Sequence, residues 1–180
     1  MRFWLSKGIS GFRIDACPFL FEIDLDPSGT YADEPVNNVQ ACPDPQDYCY
    51  LKHIYTNDRP ETMDMIYQWR ELTDQFKKDH GGDTRILLTE AYTSFDVMMK
   101  YYGNGQRNGS HVPFNFDFMG NVNKTTKAED VVKNVNKWLT AMPKVKGVFP
   151  NWVLGNHDSK RVASRFGVER ADLVNIMLQT

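Results

Sequence analysis

Short apolar segments of strand length alternate along this chain with longer segments of helical periodicity. The apolar segments predict strands near residues 10–15, 85–90, 112–117 and 151–155. The amphipathic or capped segments predict helices near residues 2–7, 60–78, 95–102, 127–142, 159–166 and 168–178. Strands that alternate with helices in this way pair in parallel and are joined by right-handed crossovers. The pattern therefore predicts an α/β fold built on a parallel sheet.

One long stretch, residues 23–57, interrupts this alternation, because it is rich in Asp, Pro, Asn and Gly and has no periodicity. A loop of this length inside a compact domain is usually functional. The chain has 180 residues, a length typical of a single domain. We therefore expect one α/β domain over residues 1–180, in which residues 23–57 form a loop-rich insertion after the first predicted strand.

Composition argues against several classes of partner. A net charge of −2 gives no long-range attraction for nucleic acid or for an anionic membrane surface. No apolar run reaches the roughly 18 residues that a membrane-spanning helix needs, so we expect no membrane segment in this chain. Residues 1–8 lack the apolar stretch and small-residue cleavage site of a signal peptide.

The cysteines and two sequons bear on the compartment. Cys42 and Cys49 flank a Pro-rich hexapeptide, which predicts a disulfide-closed loop in an oxidising environment; a metal site at the pair is less favoured. Cys17 remains as a buried thiol. Asn108 and Asn123 each begin an Asn-x-Ser/Thr triplet and are candidate glycosylation sites. Together these features favour a secreted or extracellular parent protein, whose signal peptide would precede this chain.

Three predicted strands end in, or lead directly to, a carboxylate: Asp15, Glu90 and Asp158. In a β/α barrel the active site lies at the carboxyl ends of the strands, so these side chains converge on one pocket although they are far apart in sequence. A single acid in such a place is as often a helix cap. Helix capping is a less suitable explanation for three acids that each follow a predicted strand.

Two converging carboxylates suit glycoside hydrolysis, in which one acts as nucleophile and the other as acid/base. Arg13 lies two residues before Asp15, on the same face of the strand, where its guanidinium would lower the pKa of Asp15. Glu90 follows an apolar strand, where desolvation would raise its pKa. A plain structural ion pair between Arg13 and Asp15 is the alternative interpretation.

Residues 11–16 (GFRIDA), 87–92 (LLTEAY) and 151–158 (NWVLGNHD) resemble, in order and spacing, signature regions of the α-amylase family, glycoside hydrolase family 13. Residues 112–117 (VPFNFD) resemble the strand between the last two of these regions. Within the family the motifs are most similar to those of insect maltases and animal α-glucosidases, and the resemblance covers essentially the whole chain.

The resemblance implies roles at the matching positions. Asp15 would be the nucleophile and Glu90 the acid/base, and Asp158 would grip sugar hydroxyls in the transition state. Arg13 would orient Asp15, and His157 would hydrogen-bond the sugar.

Arg161 is a further substrate-binding candidate. It follows Ser159-Lys160, where many relatives carry Gln-Pro or Ser-Pro.

The activity implied by the resemblance is that of a retaining α-glucosidase that removes terminal α-linked glucose from maltose, sucrose or short oligosaccharides. An α-glucoside oligosaccharide is the implied partner. The small Ala16 after the nucleophile position indicates α-1,4 linkages. No cofactor or catalytic metal is implied, and a structural calcium ion elsewhere in a longer parent stays open.

The resemblance also implies a (β/α)8 TIM barrel of which this chain supplies strands four to seven with their helices. Strands one to three, the eighth strand and a C-terminal β domain are then expected to lie outside the chain. Because a partial barrel holds only part of the sugar pocket, we expect residues 1–180 alone to be inactive.

Functions of other classes fit the sequence less well. A non-catalytic binding or receptor protein on the same barrel is the main alternative, although all three acids are retained. A serine hydrolase would need a Gly-x-Ser-x-Gly elbow, which residues 8–12 (GISGF) do not provide. The four histidines lack zinc-ligand spacing. The glycines near residue 103 follow a predicted helix, so they do not suit a nucleotide site.

Overall fold

The computed structural model describes residues 1–179, apart from the side chain of Phe118. Within that range the helices are α1 (Arg2–Ser6), α2 (Pro60–His80), α3 (Phe95–Lys100), α4 (Phe116–Asn121), α5 (Ala128–Ala141), α6 (Val162–Phe166) and α7 (Val168–Gln179). The strands are β1 (Gly11–Ile14), β2 (Ile86–Thr89) and β3 (Val112–Pro113), and short 3-10 helices occupy Cys17–Phe19 and Tyr48–Tyr50. The predicted alternation of strands and helices is confirmed at β1, α2, β2 and α3.

The three strands form one parallel sheet in the order β1-β2-β3. The register pairs Gly11 with Ile86 and Ile14 with Thr89. A side chain at Gly11 could not be accommodated, because its Cβ would lie 2.4 Å from the carbonyl oxygen of Ile86. The register brings the carboxyl ends of β1 and β2 side by side, which is where the predicted acids begin.

Helix α2 supplies much of the core behind the sheet. It begins at Pro60, whose fixed φ suits the first helical position, and ends at Gly81, whose φ is +71°. Its buried face packs into a cluster with α3, α5 and the loop after β1. The buried members of this cluster are Cys17, Ile66, Tyr67, Ala91, Met98, Tyr101, Tyr102, Trp138, Met142 and Val148.

One sequence-based strand prediction is confirmed only in part, and another is wrong. Residues 112–117 form a strand of only two residues, and the chain enters helix α4 at Phe116. Residues 151–155 form no strand in the described structure. The side chain of Asn151 connects the two segments, because it accepts a hydrogen bond from the amide of Asn115 and donates one to the carbonyl of Pro113. One side chain thus makes the contacts that a backbone ladder would make.

Residues 23–57 form the predicted loop, which is held together by local contacts. Cys42 and Cys49 are joined by a disulfide with a Cα–Cα distance of 5.9 Å. Glu34 accepts hydrogen bonds from the amides of Ile54 and Tyr55 at 2.8 and 2.9 Å. Among the helices of residues 1–179, none combines the length and apolar character required to traverse a bilayer.

Candidate active site

The carboxyl ends of β1 and β2 bring two carboxylates to one guanidinium. Nη2 of Arg13 lies 2.8 Å from Oδ1 of Asp15 and 2.9 Å from Oε2 of Glu90. Because both oxygens contact the same nitrogen, they are less than about 6 Å apart, which is below the separation of about 6.5–9.5 Å that inverting glycosidases need.

Backbone hydrogen bonds at the strand ends fix this arrangement. The amide of Glu90 donates to the carbonyl of Ile14 at 2.9 Å, and the amide of Cys17 donates to the carbonyl of Glu90 at 3.0 Å. Ala16, between Asp15 and Cys17, turns the chain with a φ of +48°, a conformation that costs energy for a residue with a Cβ. The turn sends the chain back into the core and leaves Asp15 at the rim.

The environments of Asp15 and Glu90 differ sharply. The side chain of Asp15 is 63% exposed, whereas that of Glu90 is 5% exposed. A hydrogen bond from Glu90, with the charges of Arg13 and His157, lowers the pKa of Asp15. Burial, with the hydrogen bond to Asp15 and the charge of that residue, raises the pKa of Glu90 against the opposing effect of Arg13. The two shifts favour the ionised form of Asp15 and the protonated form of Glu90.

The segment with His157 and Asp158 reaches the same edge by a different route. Nδ2 of Asn156 donates to the hydroxyl of Tyr92 at 2.6 Å, which ties this segment to the loop after β2. Nε2 of His157 lies 3.4 Å from Oδ1 of Asp158, and both side chains are mostly exposed. The charge of His157 contributes to the lowered pKa of Asp15, so His157 lies within electrostatic range of that carboxylate.

Arg161 is not brought to the carboxylates. It occupies the N-cap position of α6, where its carbonyl accepts a hydrogen bond from the amide of Ser164 at 2.9 Å. Within residues 1–179 its side chain forms no ion pair or hydrogen bond with Asp15, Glu90 or Asp158.

Three aromatic residues beside the acids were not singled out from the sequence. The rings of Tyr92 and Phe116 stack with centroids 4.3 Å apart, and the guanidinium of Arg13 lies 5.8 Å from the ring centroid of Phe114. Tyr92 and Phe116 also line an open cavity of about 450 Å³. The sequence offered one indication of these residues, because Tyr92 lies two residues after Glu90 at the end of a predicted strand.

The two sequons differ in their surroundings. Asn108 and Asn123 are both exposed. The hydroxyl of Ser110, in the first sequon, is buried and donates to the carbonyl of Leu87 at 2.9 Å. The hydroxyl of Thr125, in the second sequon, donates to Oδ1 of Asn123 at 2.8 Å at the surface.

Comparison with known proteins gives the class to which this arrangement belongs. The model of the alpha-amylase catalytic domain matches residues 1–180, and the chain belongs to that family. Its fold is accordingly a part of the family's (β/α)8 barrel. A solved alpha-glucosyl transfer enzyme shares this fold with a TM-score of 0.67 at 24% identity, over 93% of this chain and 29% of the other.

Two curated relatives are similar over the whole chain. Maltase A1 of Drosophila melanogaster is 64% identical over 181 residues, which cover 100% of this chain and 31% of that protein. The salivary alpha-glucosidase of Anopheles gambiae is 49% identical over 180 residues, which cover 100% of this chain and 30% of that protein. The chain thus spans about a third of the length of the relatives it matches.

Proposed function

We propose that this chain carries the catalytic carboxylates of a retaining α-glucosidase, with Asp15 as nucleophile and Glu90 as acid/base. One observation carries the proposal: Arg13 contacts both carboxylates, while their pKa values are shifted in opposite directions. A retaining glycosidase needs one ionised and one protonated acid at short separation.

In the proposed first step, a carboxylate oxygen of Asp15 attacks the anomeric carbon of the terminal glucose. The bond from that carbon to the glycosidic oxygen breaks, and Glu90 gives its proton to the departing oxygen. In the second step, water gives a proton to Glu90. The oxygen of that water bonds to the anomeric carbon and displaces the carboxylate of Asp15. Two inversions leave the released glucose in the α configuration, and both side chains return to their starting protonation states.

Asp158 and His157 are proposed to hold the sugar. A carboxylate accepts hydrogen bonds from sugar hydroxyls, and an imidazole can donate one. The contact of Asn156 with Tyr92 supports this role, because it ties the segment to the loop that follows Glu90. Arg161 remains a proposed substrate contact.

The substrate is proposed to be maltose, sucrose or a short oligosaccharide with a terminal α-1,4-linked glucose. The names of the relatives, a maltase and an alpha-glucosidase, support this class. The small Ala16 beside the proposed nucleophile supports the linkage. The proposed chemistry uses only carboxylates and water, so no cofactor or catalytic metal is required.

The parent protein is proposed to be secreted and glycosylated at Asn108 and Asn123. The disulfide between Cys42 and Cys49 supports an oxidising compartment. A salivary relative supports the same compartment. Both sequon asparagines are exposed, as an attached glycan requires.

The test uses a chimera in which residues 1–180 replace the matching segment of the Drosophila relative, so that the rest of the barrel is supplied. We expect the chimera to hydrolyse maltose and p-nitrophenyl α-glucoside, and we expect proton NMR to detect α-glucose as the first sugar released from p-nitrophenyl α-glucoside. The control is Asp64→Asn, which should keep full activity. Asp64 lies on α2, and its exposed carboxylate forms an ion pair with Arg107. β-Glucose as the first product would exclude a retaining mechanism.

Two further outcomes separate the alternatives. A folded chimera that binds maltose without turning it over would favour the non-catalytic binding protein. Residues 1–180 expressed alone should show no turnover, because the positioning of a sugar depends on a complete pocket. Turnover by the isolated chain would show that these residues form a sufficient site.

A further inference from the structure

Asp58 lies outside the proposed catalytic pair, yet it contacts the loops that follow both acids. Its amide donates to the carbonyl of Pro18 at 2.9 Å. Its Oδ2 accepts a hydrogen bond from Oγ1 of Thr93 at 2.6 Å. Pro18 lies three residues after Asp15, and Thr93 lies three residues after Glu90. One residue thus joins equivalent points of the two loops.

Helix capping does not account for this carboxylate. Asp58 precedes Arg59, the N-cap residue of α2, and that helix start has no side-chain cap hydrogen bond. An acidic residue before a helix commonly accepts from the first helical amides. Here the carboxylate turns to Thr93 instead.

The backbone at both ends of this connection is held in an unfavourable conformation. Asp58 has a φ of +52° and Ala16, two residues before Pro18, has a φ of +48°. This left-handed conformation is energetically unfavourable for residues with a Cβ, and they adopt it only where the surrounding contacts impose it. Such positions cluster at functional sites.

The contacts of Asp58 lie next to the buried core. Cys17 and Tyr101 are fully buried, and both belong to the core cluster behind β1 and β2. Burial raises the pKa of Asp58, and burial together with the charges of Cys17 and Asp58 raises the pKa of Tyr101. Asp58 therefore lies against the core while it holds two surface loops.

We propose that Asp58 is a positioning residue that sets the separation of Asp15 and Glu90 by tying Pro18 to Thr93. The inference rests on the proposed function, because the separation of the two carboxylates matters only if they act together. A displacement of about 1 Å in a catalytic group can cost roughly 100-fold in rate. Loss of the connection should therefore lower kcat while substrate binding, made elsewhere, changes little.

The experiment is a double-mutant cycle in the chimera. Asp58→Gly removes the carboxylate but tolerates the left-handed backbone, and Thr93→Val removes the hydroxyl. We expect each single variant to lower kcat by about tenfold or more with little change in KM. The double variant should be no worse than either single variant, because both remove the same contact.

Conservative variants provide the rescue. Asp58→Asn keeps an acceptor oxygen and accepts the left-handed backbone, and Thr93→Ser keeps the hydroxyl. Both should retain kcat near that of the parent. The basic limb of kcat/KM against pH should move to lower pH in Asp58→Gly and in Thr93→Val but not in the two conservative variants, because only the first two variants let Glu90 move farther from the charge of Asp15.

Several results would overturn the proposal. A lower melting temperature with unchanged kcat and pH profile would make Asp58 a structural residue only, as would additive effects in the cycle. A crystal structure of Asp58→Gly gives the separation of Asp15 and Glu90 without any assay, and an unchanged separation would also refute the proposal. An inactive parent chimera would instead refute the proposed function, and the crystallographic comparison would still decide the role of Asp58.

Discussion

The ends of β1 and β2 and the segment around Asp158 carry proposed catalytic groups, but they are built differently. At the first region, backbone hydrogen bonds run from the ladder into the loops, and Arg13 contacts both acids. At the second, no strand forms within the described residues, and Asp158 lies in an exposed turn. Side chains of Asn151 and Asn156 make the connections there.

This difference shows how the two parts of the site obtain their chemistry. In the first region the register places one acid at the rim and buries the other, so the opposite pKa shifts of Asp15 and Glu90 follow from the fold. In the second region a few side-chain hydrogen bonds determine where Asp158 lies. We therefore expect severe losses from changes at the first region and graded losses from changes to the anchors of the second.

The largest effect should come from Asp15→Asn in the chimera. The amide is similar in size but cannot form the covalent intermediate, so kcat should fall by roughly 10⁴-fold or more, the scale seen when another covalent hydrolase loses its nucleophile. Turnover of maltose and a thermal melt provide the measurement. Retention of more than a few per cent of activity, with an unchanged melt, would remove Asp15 from the role of nucleophile.

Glu90→Gln should have a smaller effect that depends on the leaving group. For maltose, whose departing oxygen needs a proton, kcat should fall by about 10²–10⁴-fold. For p-nitrophenyl α-glucoside the fall should be smaller, because p-nitrophenolate departs without protonation. The basic limb of the pH profile should disappear, since the raised pKa of Glu90 sets that limb. Equal losses on both substrates would contradict the acid/base assignment.

The sequence was a better guide to the first region than to the second. The motifs at residues 11–16 and 87–92 carry both the strand pattern and the acids, and β1 and β2 lie inside the predicted ranges. Local pattern sufficed there because the acids are part of, or adjacent to, paired strands. The largest cause of the lowered pKa of Asp15, its hydrogen bond with Glu90, depends on contact between residues distant in sequence and could not be found in this way.

The second region was predicted less well for a physical reason. Residues 151–155 have the apolar character of a strand, but Asn151 uses its side chain to occupy the polar groups near β3. Helix α4 was also missed, because Phe114 and Phe116 alternate with polar residues in the manner of a strand. A side-chain contact that replaces a backbone ladder leaves no periodic signal.

His111 offers a test of stability in the laddered region. Its Nδ1 accepts a hydrogen bond from the amide of Leu87 at 3.1 Å, and burial lowers its pKa to about 4. Because the unfolded chain binds this proton near pH 6.5, stability is fully present above that pH and is lost as pH falls toward 4, by roughly 3 kcal/mol in all.

Urea unfolding of the chimera at a series of pH values would measure this loss. His111→Gln, which keeps an acceptor but does not titrate, should remove this component of the pH dependence between pH 6.5 and 4. The control His53→Gln, in the loop after β1, should leave the pH dependence unchanged. An identical pH dependence in His111→Gln and in the parent would show that His111 does not control stability in this interval.

The smallest expected effect tests the side-chain anchor of the second region. Tyr92→Phe keeps the stacking on Phe116 but removes the hydroxyl to which Asn156 donates. A hydrogen bond of this kind is worth about 1 kcal/mol, so kcat/KM should fall about fivefold. The fall should come through KM, because Asp158 and His157 are proposed to hold the sugar.

Tyr31→Phe is the control, since Tyr31 is similarly exposed, at 56% against 50% for Tyr92. Asn156→Ala removes this contact and also the hydrogen bond that Oδ1 of Asn156 accepts from the amide of Asp158 at 3.2 Å, so Tyr92→Phe should cost little when it is added to Asn156→Ala. An equal loss in the Tyr31 control, or full additivity with Asn156→Ala, would mean that this hydrogen bond does not position the Asp158 segment.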